Sequence, residues 1–194
     1  MPDGGSVSDQ RTLAATGGRE LARTVFTREQ IARRVEEMGR SITTFYRGRG
    51  DLVVLGLLKG SFIFVADLVR CISLPLQVDF LVASSYGLGT SSGGEVKTLY
   101  DPRSPLEGRH VVLVEDIVDS GATVNELVPA LRRRGVATLE LCALLHKHQA
   151  EKLALEPRWV GFDAPREFLV GYGLDHAEDF RHLPFVASIR EGQA

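Results

Sequence analysis

The sequence predicts an α/β domain whose central sheet is mostly parallel and covered by helices on both faces. Three observations carry this expectation. Short apolar runs such as 52–58 and 110–114 are bounded by polar or charged residues and read as strands buried on both faces. Segments with apolar residues at helical spacing alternate with those runs, as helix-linked parallel strands require. The chain has 194 residues, 44% hydrophobic and 25% charged, which suffices for one substantial core.

The first helix is expected to begin near Thr27. There Thr27-Arg-Glu-Gln30 supplies a capping box, Phe26 is placed to staple onto Ile31, and Ile31, Val35, Met38 and Ile42 form one stripe of a helix ending near Tyr46. After the strand at 52–58, Ser61 stands where it would cap a helix running to about Cys71. Residues 78–85 read as a strand leading into the glycine- and serine-rich stretch 86–94, which is too permissive to hold one conformation unaided. Strand character returns at 96–100 and again at 110–114. Val124, Leu127, Val128 and Leu131 share one face of the next helix, which closes on Arg132, Arg133, Arg134 and Gly135. Further strands are expected at 136–145, 159–162, 168–172 and 185–189.

Composition excludes several classes. A formal net charge of −2 lacks the basic excess of a general nucleic-acid binder, so any phosphate site has to be local. No apolar run approaches the ~20 residues of a membrane helix. Cys71 and Cys142 each lie in an apolar segment and fit buried reduced thiols, which points to the cytoplasm. The first 22 residues lack the apolar stretch of a signal peptide and read as a mobile extension, leaving 23–194 as a single domain.

The chemistry concentrates in Val111-Val-Leu-Val-Glu-Asp-Ile-Val-Asp-Ser-Gly-Ala-Thr123, where a buried strand ends in adjacent acids and passes through a glycine loop into a helix. Ligands of open α/β sheets collect at the carboxyl ends of strands, and a helix N-terminus offers unpaired amides to an anion. Asp119, Ser120, Gly121, Ala122 and Thr123 therefore read as a pocket for one phosphate. Glu115 and Asp116 stand where carboxylates accept hydrogen bonds from vicinal ribose hydroxyls and help hold a magnesium ion through water. A plain turn and helix cap would explain an isolated Asp-Ser-Gly, but it has no need of three carboxylates within five residues, whose mutual repulsion favours a cation or hydroxyl partners.

This segment resembles the phosphoribosyl pyrophosphate signature of the type I phosphoribosyltransferases, and four further places resemble their hypoxanthine-guanine branch. Leu58-Lys-Gly-Ser61 is similar to the pyrophosphate loop, in which the Lys59–Gly60 peptide adopts a cis form. Ser85 and Tyr86 match the Ser-Tyr pair of the family's flexible lid. Lys147, in Leu144-Leu-His-Lys147, resembles the lysine that donates to the purine 6-oxo group, with His146 and His148 departing from the usual pattern. Glu167-Phe-Leu-Val-Gly-Tyr-Gly-Leu-Asp175 resembles the base-binding segment, although a phenylalanine at such a place packs inward in most proteins. The resemblance implies that Phe168 stacks on the purine and the Leu169 backbone meets its edge. It further implies that Asp175 touches a second magnesium and lies near the guanine amino group, and that Arg181 meets pyrophosphate.

The fold so implied adds a small hood made from the N- and C-terminal segments. The activity implied is purine salvage: transfer of the phosphoribosyl group to hypoxanthine or guanine, with Mg2+ as cofactor and a homodimer or homotetramer as the assembly. Asp119 is the candidate catalytic carboxylate, acting either as base or as electrostatic stabiliser. The rival from another class is a regulator of the same fold that binds a nucleotide or RNA without catalysing transfer. The sequence does not rank hypoxanthine, guanine and xanthine. A nicotinamide-dependent oxidoreductase is disfavoured, because Gly87-Leu-Gly-Thr lacks the third glycine of a dinucleotide loop.

Overall fold

In the computed structural model the described residues are 16, 21–83, 98–100, 102–149 and 152–189. Their elements run β1 (Leu21–Phe26), α1 (Arg28–Tyr46), β2 (Leu52–Leu58), α2 (Phe62–Arg70), β3 (Leu76–Ala83), β4 (Thr98–Tyr100), β5 (His110–Val118), α3 (Ala122–Arg132), β6 (Thr138–His146), β7 (Pro157–Asp163), β8 (Leu169–Val170) and β9 (Val186–Ile189). The lid residues Ser85 and Tyr86 lie outside the described residues, as does nearly all of the expected N-terminal extension.

Six strands form one sheet in the order β4-β3-β2-β5-β6-β7. Neighbours are parallel from β3 to β7, and β4 joins β3 antiparallel at the edge. Alternate residues of each central strand enter different cores. Val54, Val112, Val114, Cys142 and Leu144 pack with α1 and α2, whereas Val53, Leu55, Val111, Leu113 and Leu141 pack with α3. This double burial is why the strands read as unbroken apolar runs instead of alternating ones. The capping box at Thr27 is formed: its hydroxyl accepts the Gln30 N–H at 3.3 Å, and the Gln30 side-chain oxygen accepts the Thr27 N–H at 2.8 Å.

The chain leaves β2 toward β3 on one side and returns to place β5 on the other. The strand order therefore reverses between β2 and β5, and their carboxyl ends flank a crevice of the kind that binds ligands in open α/β sheets. Over it lies a second sheet, antiparallel, in the order β1-β9-β8, with Leu21, Val170, Phe180, Leu183, Ala187 and Ile189 in its own small core. This is the hood, built from both ends of the chain as expected.

Several expectations are corrected. The described structure starts its first strand at Leu21, so Leu21 and Ala22 belong to β1 and not to an extension, held there by pairing such as Leu21↔Ile189. Ser61 occupies the N-cap position of α2, but its hydroxyl donates to the Leu57 carbonyl at 2.6 Å and caps nothing. β5 continues to Val118, four residues past the predicted end, because its ladder with β6 carries on through Ile117↔Leu145 and Val118↔His146. The predicted strand at 168–172 shrinks to two residues, ended by the positive φ of Gly171 (95°). Among the described residues, no helix is long and apolar enough to cross a membrane.

Candidate active site

Because β5 runs on to Val118, Glu115 and Asp116 sit inside the strand and not in a loop after it. Glu115 is only 5% exposed, and its Oε2 has no hydrogen-bond partner. Burial, then the neighbouring Asp116 charge, pushes its pKa up to about 8. Asp116 is pushed up to about 6, again by burial first. The amides of Asp116 and Ile117 and the Arg181 charge hold it down, and Asp175 adds to the rise. Asp116 thus has amide donors and a nearby cation, whereas buried Glu115 keeps one oxygen with no partner, an arrangement that favours an added donor or positive charge.

The loop after β5 turns through Gly121, whose φ of 78° is left-handed and strained for any side chain. Gly121 is also the N-cap of α3 and brings no side-chain cap. The first helical bond runs from the Asn125 N–H to the Gly121 carbonyl at 2.9 Å, while the Ala122 N–H has only a 3.4 Å contact with the Ser120 hydroxyl. The first amide of α3 is thus only weakly engaged, and the helix N-terminus that carries it follows directly on the carboxyl end of β5.

Asp119 and Lys147 meet because β5 and β6 end side by side. The Lys147 N–H donates to the Val118 carbonyl at 2.9 Å, extending the ladder, and its Nζ donates to Asp119 Oδ2 at 2.9 Å. The lysine side chain is 11% exposed and the aspartate about half exposed. The expected base-pocket lysine and the expected catalytic carboxylate are ion-pair partners.

The far wall of the crevice is the turn after β2. Here the cis peptide is Leu58–Lys59, one bond earlier than the expected Lys59–Gly60. Gly60 serves a different purpose, a close approach: a Cβ there would lie 1.7 Å from Asp116 Oδ2. Gly173, with a φ of 103°, packs as tightly from the hood, since its Cβ would lie 2.0 Å from the Gly60 carbonyl oxygen. These two glycines bring β2, β5 and the hood together at Asp116.

From the hood, Arg181 pairs with Asp175 at 2.9 Å and with Glu178 at 3.1 Å, and its Nη1 donates to the Gly173 carbonyl at 2.9 Å. Glu178 reaches Lys59 as well, at 3.0 Å. One carboxylate therefore bridges two cations that were expected to meet pyrophosphate. Glu178 was not singled out from the sequence. Its only signal was an acid three residues before Arg181, in a segment already marked by Asp175. Phe168 departs from the inward packing usual for its type: it is 47% exposed and edge-on to His176, ring centroids 5.5 Å apart. Leu169 is buried and its backbone pairs with Ser188 in the hood sheet.

Positions 59–60, 115–123, 147, 168 and 173–181 accordingly surround one crevice edge, although they come from five separate stretches of chain. A phosphate-sized anion would find amides and hydroxyls at the start of α3, a diol would find the two acids, and a flat ring would find the exposed face of Phe168.

A family model described as the phosphoribosyl transferase domain matches residues 24–177. The hypoxanthine-guanine phosphoribosyltransferase of Dictyostelium discoideum is 43% identical over 170 residues, covering 86% of this chain and 94% of that protein. The hypoxanthine phosphoribosyltransferase of Salmonella typhimurium is 44% identical over 161 residues, covering 82% of this chain and 90% of that protein. Among solved structures, a hypoxanthine-guanine phosphoribosyltransferase from Bacillus anthracis superposes with a TM-score of 0.82 at 42% identity, covering 88% of this chain and 100% of that one. The crevice, the hood and these likenesses lead to one conclusion: the chain belongs to the phosphoribosyltransferase family, in its hypoxanthine-guanine branch.

Proposed function

We propose that the chain transfers the phosphoribosyl group of phosphoribosyl pyrophosphate to hypoxanthine or guanine, forming a nucleoside monophosphate and pyrophosphate in purine salvage. The observation that carries this reading is the convergence at the carboxyl end of β5 of the acid pair Glu115 and Asp116, the α3 N-terminus with its weakly engaged Ala122 N–H, and the Asp119–Lys147 pair.

The imidazole-ring nitrogen of the purine forms a bond to the anomeric carbon as the bond from that carbon to pyrophosphate breaks, with inversion. The loop Asp119–Thr123 holds the 5′-phosphate on backbone donors, and Glu115 and Asp116 accept hydrogen bonds from the ribose hydroxyls. Lys59, Gly60 and Arg181 face the pyrophosphate, and Ser85 and Tyr86 belong to the lid that excludes water from the cation-like transition state. Phe168 stacks on the purine, Lys147 donates to its 6-oxo group, and the Leu169 backbone and Asp175 meet the opposite edge. Asp119 either receives the proton that the ring nitrogen loses or stabilises the charge on the base as the bond forms.

Magnesium fits this donor set. Among the described residues no three ligands form a closed metal cluster, but this ion keeps several waters and shares its shell with substrate phosphates. The unpartnered Glu115 oxygen, Asp116 and Asp175 would hold it. Bound there, it would neutralise the charge that develops on the leaving pyrophosphate.

The family likeness also leads us to expect a homodimer or homotetramer, and the free thiols of Cys71 and Cys142 support a reducing, cytoplasmic setting. Pyrophosphate release measured with each of the five common nucleobases, with and without magnesium, tests the proposal. Turnover with hypoxanthine or guanine that needs magnesium is the expected result; turnover with no base would overturn it in favour of a non-catalytic regulator.

A further inference from the structure

The end of β6 carries a cluster that purine recognition by a single lysine does not explain. His146, the last residue of β6, is buried, and its strand register sets it against Asp163 at the end of β7. Its carbonyl accepts the Ala164 N–H at 2.8 Å. His148 has a φ of 51°, in the left-handed region that a bulky residue keeps only where its surroundings over-determine it. Its ring folds back onto that of His146, centroids 3.8 Å apart and planes tilted by 39°. Its Nε2 lies 2.7 Å from Asp163 Oδ1. A carboxylate oxygen only accepts at neutral pH, so Nε2 is the protonated nitrogen.

Lys147 lies between the two histidines in sequence. Its four-carbon stem would be free to sample many rotamers on an open strand end, and each of them would carry the ammonium elsewhere. Instead the residue that follows it is tied through its ring to Asp163 on the neighbouring strand. The side chain is directed to Asp119, just past the end of the adjacent β5.

We infer that the His148–Asp163 bond, backed by the His146 ring, is a clamp that fixes where the chain leaves β6 and so aims the Lys147 ammonium at the 6-oxo group of the purine. His148 and Asp163 are positioning residues: they act on the base only through Lys147. The inference rests on the transferase reading above.

Three variants test it, assayed at saturating phosphoribosyl pyrophosphate with hypoxanthine varied. His148→Gly accepts the left-handed backbone but removes the ring. Asp163→Ala removes the acceptor. His148→Asn tolerates the same backbone and keeps an N–H for Asp163. Loss of one hydrogen bond's worth of ordering is expected to raise the hypoxanthine KM about fivefold in the first two, with kcat within about twofold of wild type. His148→Asn should restore KM to within about twofold. A KM within twofold of wild type in both His148→Gly and Asp163→Ala would overturn the clamp, as would a loss confined to kcat. If His148→Gly does not fold, Asp163→Ala decides alone, because that side chain is 82% exposed and removing it leaves the core intact. A wild type that releases no pyrophosphate with any purine overturns the transferase reading instead, which separates the two failures.

Discussion

Replacing Gly60 with alanine adds one methyl group at the tightest point of the crevice. The new Cβ would lie 1.7 Å from Asp116 Oδ2, 2.5 Å from its Cγ and 3.1 Å from its Oδ1. Ordinary carbon contacts lie at about 3.5 Å, so the carboxylate or the turn has to give by roughly 1.8 Å. Asp116 is held in a strand whose pairing with β6 continues on either side of it, at Glu115 and Ile117. The turn has no room to retreat toward the hood, where Gly173 already sits against the Gly60 carbonyl. Gly60 itself has no left-handed φ, so the effect is steric and not conformational. Overpacking of this kind costs about 1–3 kcal/mol of stability, at about 2–4 °C of Tm per kcal/mol for a chain of this size. Displacing a positioned group by ~1 Å costs about 10²-fold in rate. Gly60→Ala is therefore expected to lower kcat/KM for phosphoribosyl pyrophosphate by about a hundredfold while melting only several degrees below wild type. Gly108→Ala is the control: it has a φ of 70° and nothing within 4 Å, so it should lose stability with kcat/KM unchanged. A Gly60→Ala enzyme within threefold of wild type would refute the idea that Asp116 is fixed by this contact.

Asp119→Asn removes the candidate catalytic charge and the partner of Lys147; turnover is expected to fall by on the order of 10² or more, and near-normal kcat would take Asp119 out of the mechanism. Lys147→Ala should raise the KM for 6-oxopurines more than it lowers kcat, and an unchanged KM for all of them would place the lysine elsewhere. Glu178→Gln frees Lys59 and Arg181 from a shared carboxylate that is itself well exposed, so the KM for phosphoribosyl pyrophosphate should fall about two- to threefold; a rise would mean that Glu178 positions them instead. Folding keeps protons on Glu115 up to about pH 8 and on Asp116 up to about pH 6, whereas their ordinary values are 4.5 and 3.8. Between those limits the folded state binds more protons than the unfolded one, so the ligand-free protein should lose stability as pH rises from about 4.5 to 8. Glu115→Gln should flatten that slope in urea melts at pH 5 to 8, and an equally steep slope in the variant would place its cause elsewhere.

Much of the fold was legible because local and global preferences agree. Leu52–Leu58 is a strand with the bounds its apolar run announced, and Val124, Leu127, Val128 and Leu131 are the buried face of α3. The errors fall where a non-local partner decides. β1 exists through its pairing with β9, more than 160 residues away in sequence, and its own six residues give too weak a pattern to be read. β5 outruns its prediction because charged residues ended the apolar run, whereas the ladder to β6 did not end there. Ser61 has the right residue type for a cap, but its backbone is already helical (φ −79°, ψ −6°), and its hydroxyl is turned back to the Leu57 carbonyl instead of toward the helix amides.

The site divides in the same way. The acid pair, the left-handed glycine and the helix start lie within nine residues, so their chemistry could be read from spacing alone. That short stretch, the strand and helix alternation and the double-sided burial are what the amino-acid order determines by itself, because each depends on neighbours a few bonds away. The reversal of strand order between β2 and β5, the contact of Gly60 with Asp116, the Glu178 bridge and the His148 clamp were decided only by the tertiary structure. Each joins segments tens of residues apart, and no local periodicity encodes which strands become neighbours.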